Sequence, residues 1–177
     1  MAEPHPADPV KLFVAILWSE CAALDRSVVQ MSEIWGPVDF VGPDHPFDMT
    51  NYYEPEMGAS LQRRLIGFEQ LFHPDRIGEA KLACNAIEER LSCEGRRHVN
   101  LDIGYLDHNK IVLASMKYGG QKIYLGAGIY ADLIARYEGG RYRPFAWTFP
   151  DFRDGRYDPE LAALRQSYKV QLRARRV

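Results

Sequence analysis

The stretch FDMTNYYEPEMG (Phe47 to Gly58) gathers Asp48, Thr50, Tyr52, Tyr53, Glu54 and Glu56 within twelve residues. Two carboxylates close together can divide acid and base roles, or hold Mg²⁺ with water completing its octahedron. Asp48, Glu54 and Glu56 offer such pairs. In an extended segment Tyr52 and Tyr53 point opposite ways, so that one lines a site and the other anchors the loop. The plain alternative is a polar surface loop with aromatic anchors. Further on, Lys81, Asn85 and Glu88 stand at i, i+4 and i+7 and share one helical stripe. At ~100° per residue that stripe lies roughly a quarter turn from the inward face of Ile77, Cys84 and Leu91. It is the rim of a core, where a pocket could open, or else a solvated flank with a Lys–Glu contact worth ~0.3 kcal/mol. In NLDIGYLDHNK, Asp102 ends a strand before Gly104, with Tyr105 beyond. A carboxylate so placed serves equally as a site group or as the former of an Asx-turn.

Other chemistries lack their residues. Gly126-x-Gly128 has no third glycine and no following helix, so it reads as a bulged hairpin rather than a dinucleotide loop. No P-loop and no G-x-S-x-G occur. The histidines at 5, 45, 73, 98 and 108 form no H-x-x-x-H and have no C-x-x-C partner, so zinc is unsupported. The basic end (Lys169, Arg173, Arg175, Arg176) either touches RNA or anionic membrane, or pairs with the C-terminal dipole of a helix. The net charge of −2 gives no global pull toward nucleic acid or lipid, which speaks against a nucleic-acid partner without removing it.

The elements that must position these groups follow from periodicity. Apolar residues are 46% and charged residues 26% of 177, an ordinary globular composition. LFVAILW (Leu12 to Trp18) is a buried strand and falls well short of the ~20 residues of a membrane span. The N-terminus is not a secretion signal. Residues 1–9, with Pro4, Pro6 and Pro9, read as a disordered arm before one domain over 10–177. Three cysteines without pairing spacing imply buried reduced thiols and a cytoplasmic protein. Ser19 should cap a helix carrying Leu24, Val28, Met31 and Trp35, stopped at Gly36-Pro37. VDFV and RRLIGFEQLF are strands, with a bulge expected at Gly67. A second helix carries Ile77 to Leu91, and HVNLDIG is the next strand. The class is α+β, and β-α-β-β-α-β is the ferredoxin-like order. DHNKIVLASMKY reads as a short helix. Two β-rich runs meet at a hairpin at Gly139-Gly140, and a terminal helix carries Leu161, Leu164, Tyr168 and Leu172.

KLFVAILWS, FDMTNYYEPEMG, KLACNAIEE, RRHVNLDIGYL, KIVLASMK, KIYLGAGIYAD and WTFPDF occur in this order. Together, over roughly residues 10–172, they resemble the bacterial family called domain of unknown function 4416. Some of its members carry the label GTP-binding protein, for which this sequence holds no nucleotide motif. The resemblance implies a shared set: Asp48, Thr50, Tyr52, Tyr53, Glu56, Gly58, Lys81, Asn85, Glu88, Asn100, Asp102, Tyr105 and Lys117. The family pattern T-K-x-x-x-H-R is broken here, with Gln121 and Lys122 where His and Arg stand, Asp132 in place of Glu, and Ile103 in place of Pro. Glutamine does not titrate, so a histidine-dependent step is closed to this chain.

The expectation is a pocket for a small anionic, phosphorylated or nucleotide-like ligand. Lys81, Lys117 and Lys122 would meet its oxygens, and Asp48, Glu56, Glu88 and Asp102 would supply acid–base groups or Mg²⁺ ligands. Tyr52 or Tyr105 would stack on a ring, and Tyr124 and Tyr130 lie in the same proposed wall. The competing expectation is a non-catalytic adaptor or RNA-associated module using the sheet and the basic terminal helix.

Overall fold

In the computed structural model, which describes residues 2–175, β1 (Lys11–Trp18) is buried on both faces. This is why its sequence shows no polar alternation. The chain continues through α1 (Cys21–Trp35), β2 (Val38–Val41), β3 (His45–Pro46), α2 (Glu54–Met57), β4 (Gln62–Phe68), α3 (Ile77–Leu91), β5 (Val99–Leu106) and β6 (Lys110–Ser115). It ends with β7 (Ile123–Gly126), β8 (Ile129–Glu138), β9 (Arg141–Pro144), α4 (Pro150–Arg153) and α5 (Asp158–Arg175). The class is α+β. The nine strands make one antiparallel sheet in the order β2-β4-β1-β5-β6-β8-β7, with β3 also on β4 and β9 also on β8.

Helices cover both faces of β1. Leu12, Val14 and Ile16 pack with the apolar stripes of α1 and α3, while Phe13 and Ala15 pack with α4 and α5. Each such side chain taken from water contributes ~1.5–3 kcal/mol. Lys11 is fully buried on the second face. Its ammonium donates to both oxygens of Asp39 (2.7 and 2.6 Å) and to the Phe68 carbonyl (2.6 Å). Burial lowers its pKa, against the pull of Asp39. No helix among the described residues is long and apolar enough to cross a membrane.

Four expectations are corrected. Ser19 does not cap α1: its N–H donates to the His98 carbonyl (3.1 Å), extending the β1–β5 ladder, and the helix starts at Cys21. The irregularity expected at Gly67 lies opposite it, in β2 between Val38 and Phe40. Gly67 instead admits α5, because a Cβ there would stand 2.4 Å from Leu164 Cδ2. DHNKIVLASMKY is not a helix but holds β6: Ile111 to Ala114 are all buried, which hides the alternation, and the Asp107 carboxylate accepts from the N–H groups of Asn109 and Lys110 to turn the hairpin. Of the cysteines only Cys84 is buried, on the inward stripe of α3, where burial raises its thiol pKa. Cys21 and Cys93 lie off any apolar stripe and are exposed. The hairpin at Gly139-Gly140 forms as expected, both glycines taking positive φ (59° and 86°). Residues 2–9 form no helix or strand.

The sheet forks beside β5. β5 pairs with β1 along its whole length, but with β6 only from Gly104 to Leu106. Along Val99 to Ile103 its outer edge has no strand neighbour. Side chains of α3 take that place: Lys81 Nζ donates to the Leu101 carbonyl (2.9 Å) and the Leu101 N–H donates to Glu88 Oε1 (2.7 Å).

Candidate functional site

Splaying β6 away from β5 leaves a cavity of about 410 Å³, walled by α3, β5, the end of β6, the loop after it and β8. Of the residues singled out in the sequence, Tyr53, Lys81, Asn85, Glu88, Asn100, Asp102, Lys117 and Lys122 line it together. The stripe on α3 is therefore not a solvated flank, since Lys81 and Glu88 are both buried. Asn85 is half-buried and donates to the Met116 sulfur.

Arg97, which carries no spacing signal, organises one side. Its guanidinium grips both oxygens of Glu56 (2.5 and 2.7 Å) and donates to Glu88 Oε2 (2.9 Å) and Asn100 Oδ1 (3.0 Å). It thereby ties the Phe47–Gly58 loop to α3 and β5. The hydrogen bonds from Arg97 lower the pKa of Glu56, which buttresses the site without lining it.

Two of the three carboxylates that line the cavity, Glu88 and Asp102, are pushed in opposite directions. Burial raises the pKa of Glu88 despite Lys81, the Leu101 amide and Arg97. Burial acts the same way on Asp102, but there Arg63 and Lys81 outweigh it and hold the carboxyl below its usual range. Arg63 is itself buried and donates to Asp102 Oδ2 (2.8 Å), and its Nε lies 3.2 Å from the buried Asp151. Divergent pKa shifts of this kind distinguish an acid from a base in catalytic pairs.

On the far wall Lys122 Nζ donates to Ser115 Oγ (2.8 Å) and lies 3.4 Å from Asp132 Oδ2. Lys117 Nζ donates to the Tyr52 hydroxyl (2.8 Å) and sits 4.2 Å from the centre of that ring. Two buried polar atoms of the cavity wall have no hydrogen-bond partner among the described residues: Asn100 Nδ2, a donor, and Asp132 Oδ1, an acceptor. Trp147 and Phe149, both about half exposed, also line the cavity.

A second cavity of about 370 Å³ adjoins the first, sharing Tyr53, Lys117 and Phe149 with it. Thr50 and Tyr52 belong to this one. The remaining predicted residues lie elsewhere. Asp48 pairs with Arg156 (3.2 Å), Tyr105 packs against the α1–α3 core, and Tyr124 and Tyr130 pack on each other at 5.2 Å in the β7–β8 hairpin. Among the described residues no three His, Cys, Asp or Glu side chains come together to hold a metal ion. The carboxylates named for Mg²⁺ are paired with arginines: Asp48 with Arg156, Asp102 with Arg63, and Glu56 and Glu88 both with Arg97.

The signal for Arg97 and Asp132 was faint. Asp132 shows in the sequence only as a departure from the family pattern, and Arg97 lies unmarked within RRHVNLDIGYL. Comparison with curated proteins and with solved structures gives no match. The family model described as domain of unknown function (DUF4416) matches residues 8–168, most of the chain, and the protein belongs to that family.

Proposed function

We propose that the fork cavity binds a small anionic ligand, phosphorylated or nucleotide-like. The carrying observation is two buried atoms with no partner at hydrogen-bond geometry among the described residues, Asp132 Oδ1 and Asn100 Nδ2 (the latter close enough to Asp102 to help hold its carboxyl down), in the same cavity as the ammonium groups of Lys117 and Lys122. A buried polar group left unsatisfied costs ~1–3 kcal/mol, so such groups ordinarily meet a ligand or ordered water. Two lysines beside them favour a ligand with negative oxygens, and the aromatic rim of Trp147 and Phe149 favours one with a ring. Should turnover accompany binding, Asp102 has the environment of the base and Glu88 that of the acid.

Two further readings accompany this one. The order β5-β1-β4-β2, with α1 and α3 packed on one face, supports a ferredoxin-like core, extended by β6 to β9 and α5 into one domain over 10–177. Unpaired cysteines support a reducing compartment, the cytoplasm. The adaptor reading needs an open sheet face with aromatics on neighbouring strands; helices close both faces of β1, and what supports this reading is the exposed Tyr124 of β7 beside Tyr130 of β8. Its basic helix retains Lys169, Arg173 and Arg175, while Arg176 is outside the described residues.

The test is a thermal-shift screen of nucleotides, sugar phosphates and short RNA, with and without Mg²⁺. A ligand at about 100 Kd adds ~2.7 kcal/mol, a rise of ~5–11 °C for a chain of this size. The expected result is a rise from one phosphorylated class that Lys117→Ala abolishes, while the variant itself loses no more than ~1 kcal/mol of stability. No rise from any phosphorylated compound, or a rise unchanged in Lys117→Ala, overturns the proposal. A salt-sensitive rise from RNA alone returns the adaptor reading.

A further inference from the structure

The second cavity differs from the first in chemistry. Its walls are chiefly Phe47, Met49, Tyr52, Tyr53, Phe149 and Pro150, over a floor where Arg63 is shared between Asp151 and Asp102. Phe47 is further fixed by the Arg63 guanidinium, 4.9 Å from its ring centre, and by the edge of Tyr53. The first cavity is lined by ammonium, carboxylate and amide groups. Lys117 stands where the two meet, with Tyr53 and Phe149 on either side. Its ammonium meets the hydroxyl and ring of Tyr52, and its charge also reaches Glu56, but among the described residues no carboxylate stands at ion-pair distance from it.

Resting on the anion-binding reading, we propose that the two cavities form one bipartite site for an amphipathic anion carrying a flat aromatic group. The anionic group sits at Lys117, displacing its contact with Tyr52. The aromatic group lies in the second cavity among Phe47, Met49 and Phe149. A polar head with one acceptor and one donor reaches Asn100 Nδ2 and Asp132 Oδ1 in the first. Each part of this ligand answers a group whose partner is missing or replaceable. An aromatic group alone leaves the lysine unmet, and a bare anion leaves the apolar walls wet.

Titration calorimetry with three probes tests this: inorganic phosphate, 1-naphthyl phosphate and uncharged 1-naphthol. Naphthyl phosphate is expected to bind at least about tenfold more tightly than phosphate, the gain from burying the ring. Met49→Trp, and independently Thr50→Phe, should fill the second cavity and weaken naphthyl phosphate at least about tenfold more than phosphate, which removes that gain. Two variants guard against one that fails to fold, which its circular dichroism melt reveals. Equal binding of phosphate and naphthyl phosphate, or a gain that survives both substitutions, overturns the bipartite site and leaves the anion site standing. Equal binding of naphthol and naphthyl phosphate overturns the anion reading itself. Binding by none of the three overturns both.

Discussion

Arg63 shows how far a single residue's role depends on partners from other elements. It comes from β4, Asp102 from β5 and Asp151 from α4, and nothing in their spacing along the chain marks them as a group. Arg63→Met would leave two carboxylates buried without their cation, at a cost of ~3–5 kcal/mol measured by urea unfolding at neutral pH. The pH dependence follows from the depressed pKa of Asp102. Its contribution is present above the ordinary value of 3.8 and is lost as pH falls through the lower, folded value. Urea midpoints taken between about pH 5 and 3 should therefore fall less steeply in Asp102→Asn than in the unaltered protein. Glu88 runs the other way: its raised pKa means that its contribution is largest below 4.5 and is lost as pH rises through the folded value. The site was legible in the sequence where its members share one element, as Lys81, Asn85 and Glu88 do on α3. Arg63, Arg97 and Asp132 meet only in space, and periodicity carries no trace of that.

At the scale of elements, α3 does more than cover a sheet face, because two of its side chains stand in for an absent strand beside β5. Glu88→Ala leaves the Leu101 N–H without its acceptor and removes one contact of Arg97, for a loss of ~1–3 kcal/mol. Hydrogen exchange reports it locally, with the Leu101 amide accelerating more than that of Ile103. Glu88→Gln, which can still accept from Leu101, should recover much of the protection. Helices α1, α3 and α5 were readable because each buries one stripe and wets the other. β6 was not, since Ile111 to Ala114 are covered on both sides and an aspartate in helix-capping position precedes them. A strand without alternation and a short buried helix look alike at that length.

Across the whole molecule, the same double coverage puts Tyr142 and Tyr157 deep in the second layer, while Tyr53 is half-buried in the loop before α2. Burial raises the pKa of Tyr53 to about 12 and takes Tyr142 and Tyr157 higher still. Groups with raised values hold stability that is complete below their unfolded pKa of ~10 and is lost as pH climbs through the folded one. Unfolding midpoints should therefore decline from about pH 10 toward 12, with tyrosinate absorbance at 295 nm rising in step with unfolding rather than ahead of it. Tyr157→Phe should lessen the decline. The strands β1, β2, β4 and β5 and the helices α1 and α3 were open to reading along the chain because their apolar patterns are distinct, while β3 and α2 within the loop between them were not. The layer formed by α5 was not, because only the fold brings residues 158–175 back over Lys11. The fork in the sheet has a last consequence, for self-association. A strand edge inside a protein is as adhesive as one at its border, and here its guard is a lysine and a glutamate. Until α3 has docked, the N–H and carbonyl of Leu101 are open to a strand of another copy. The residues that shape the pocket are therefore also those that keep two molecules apart during folding.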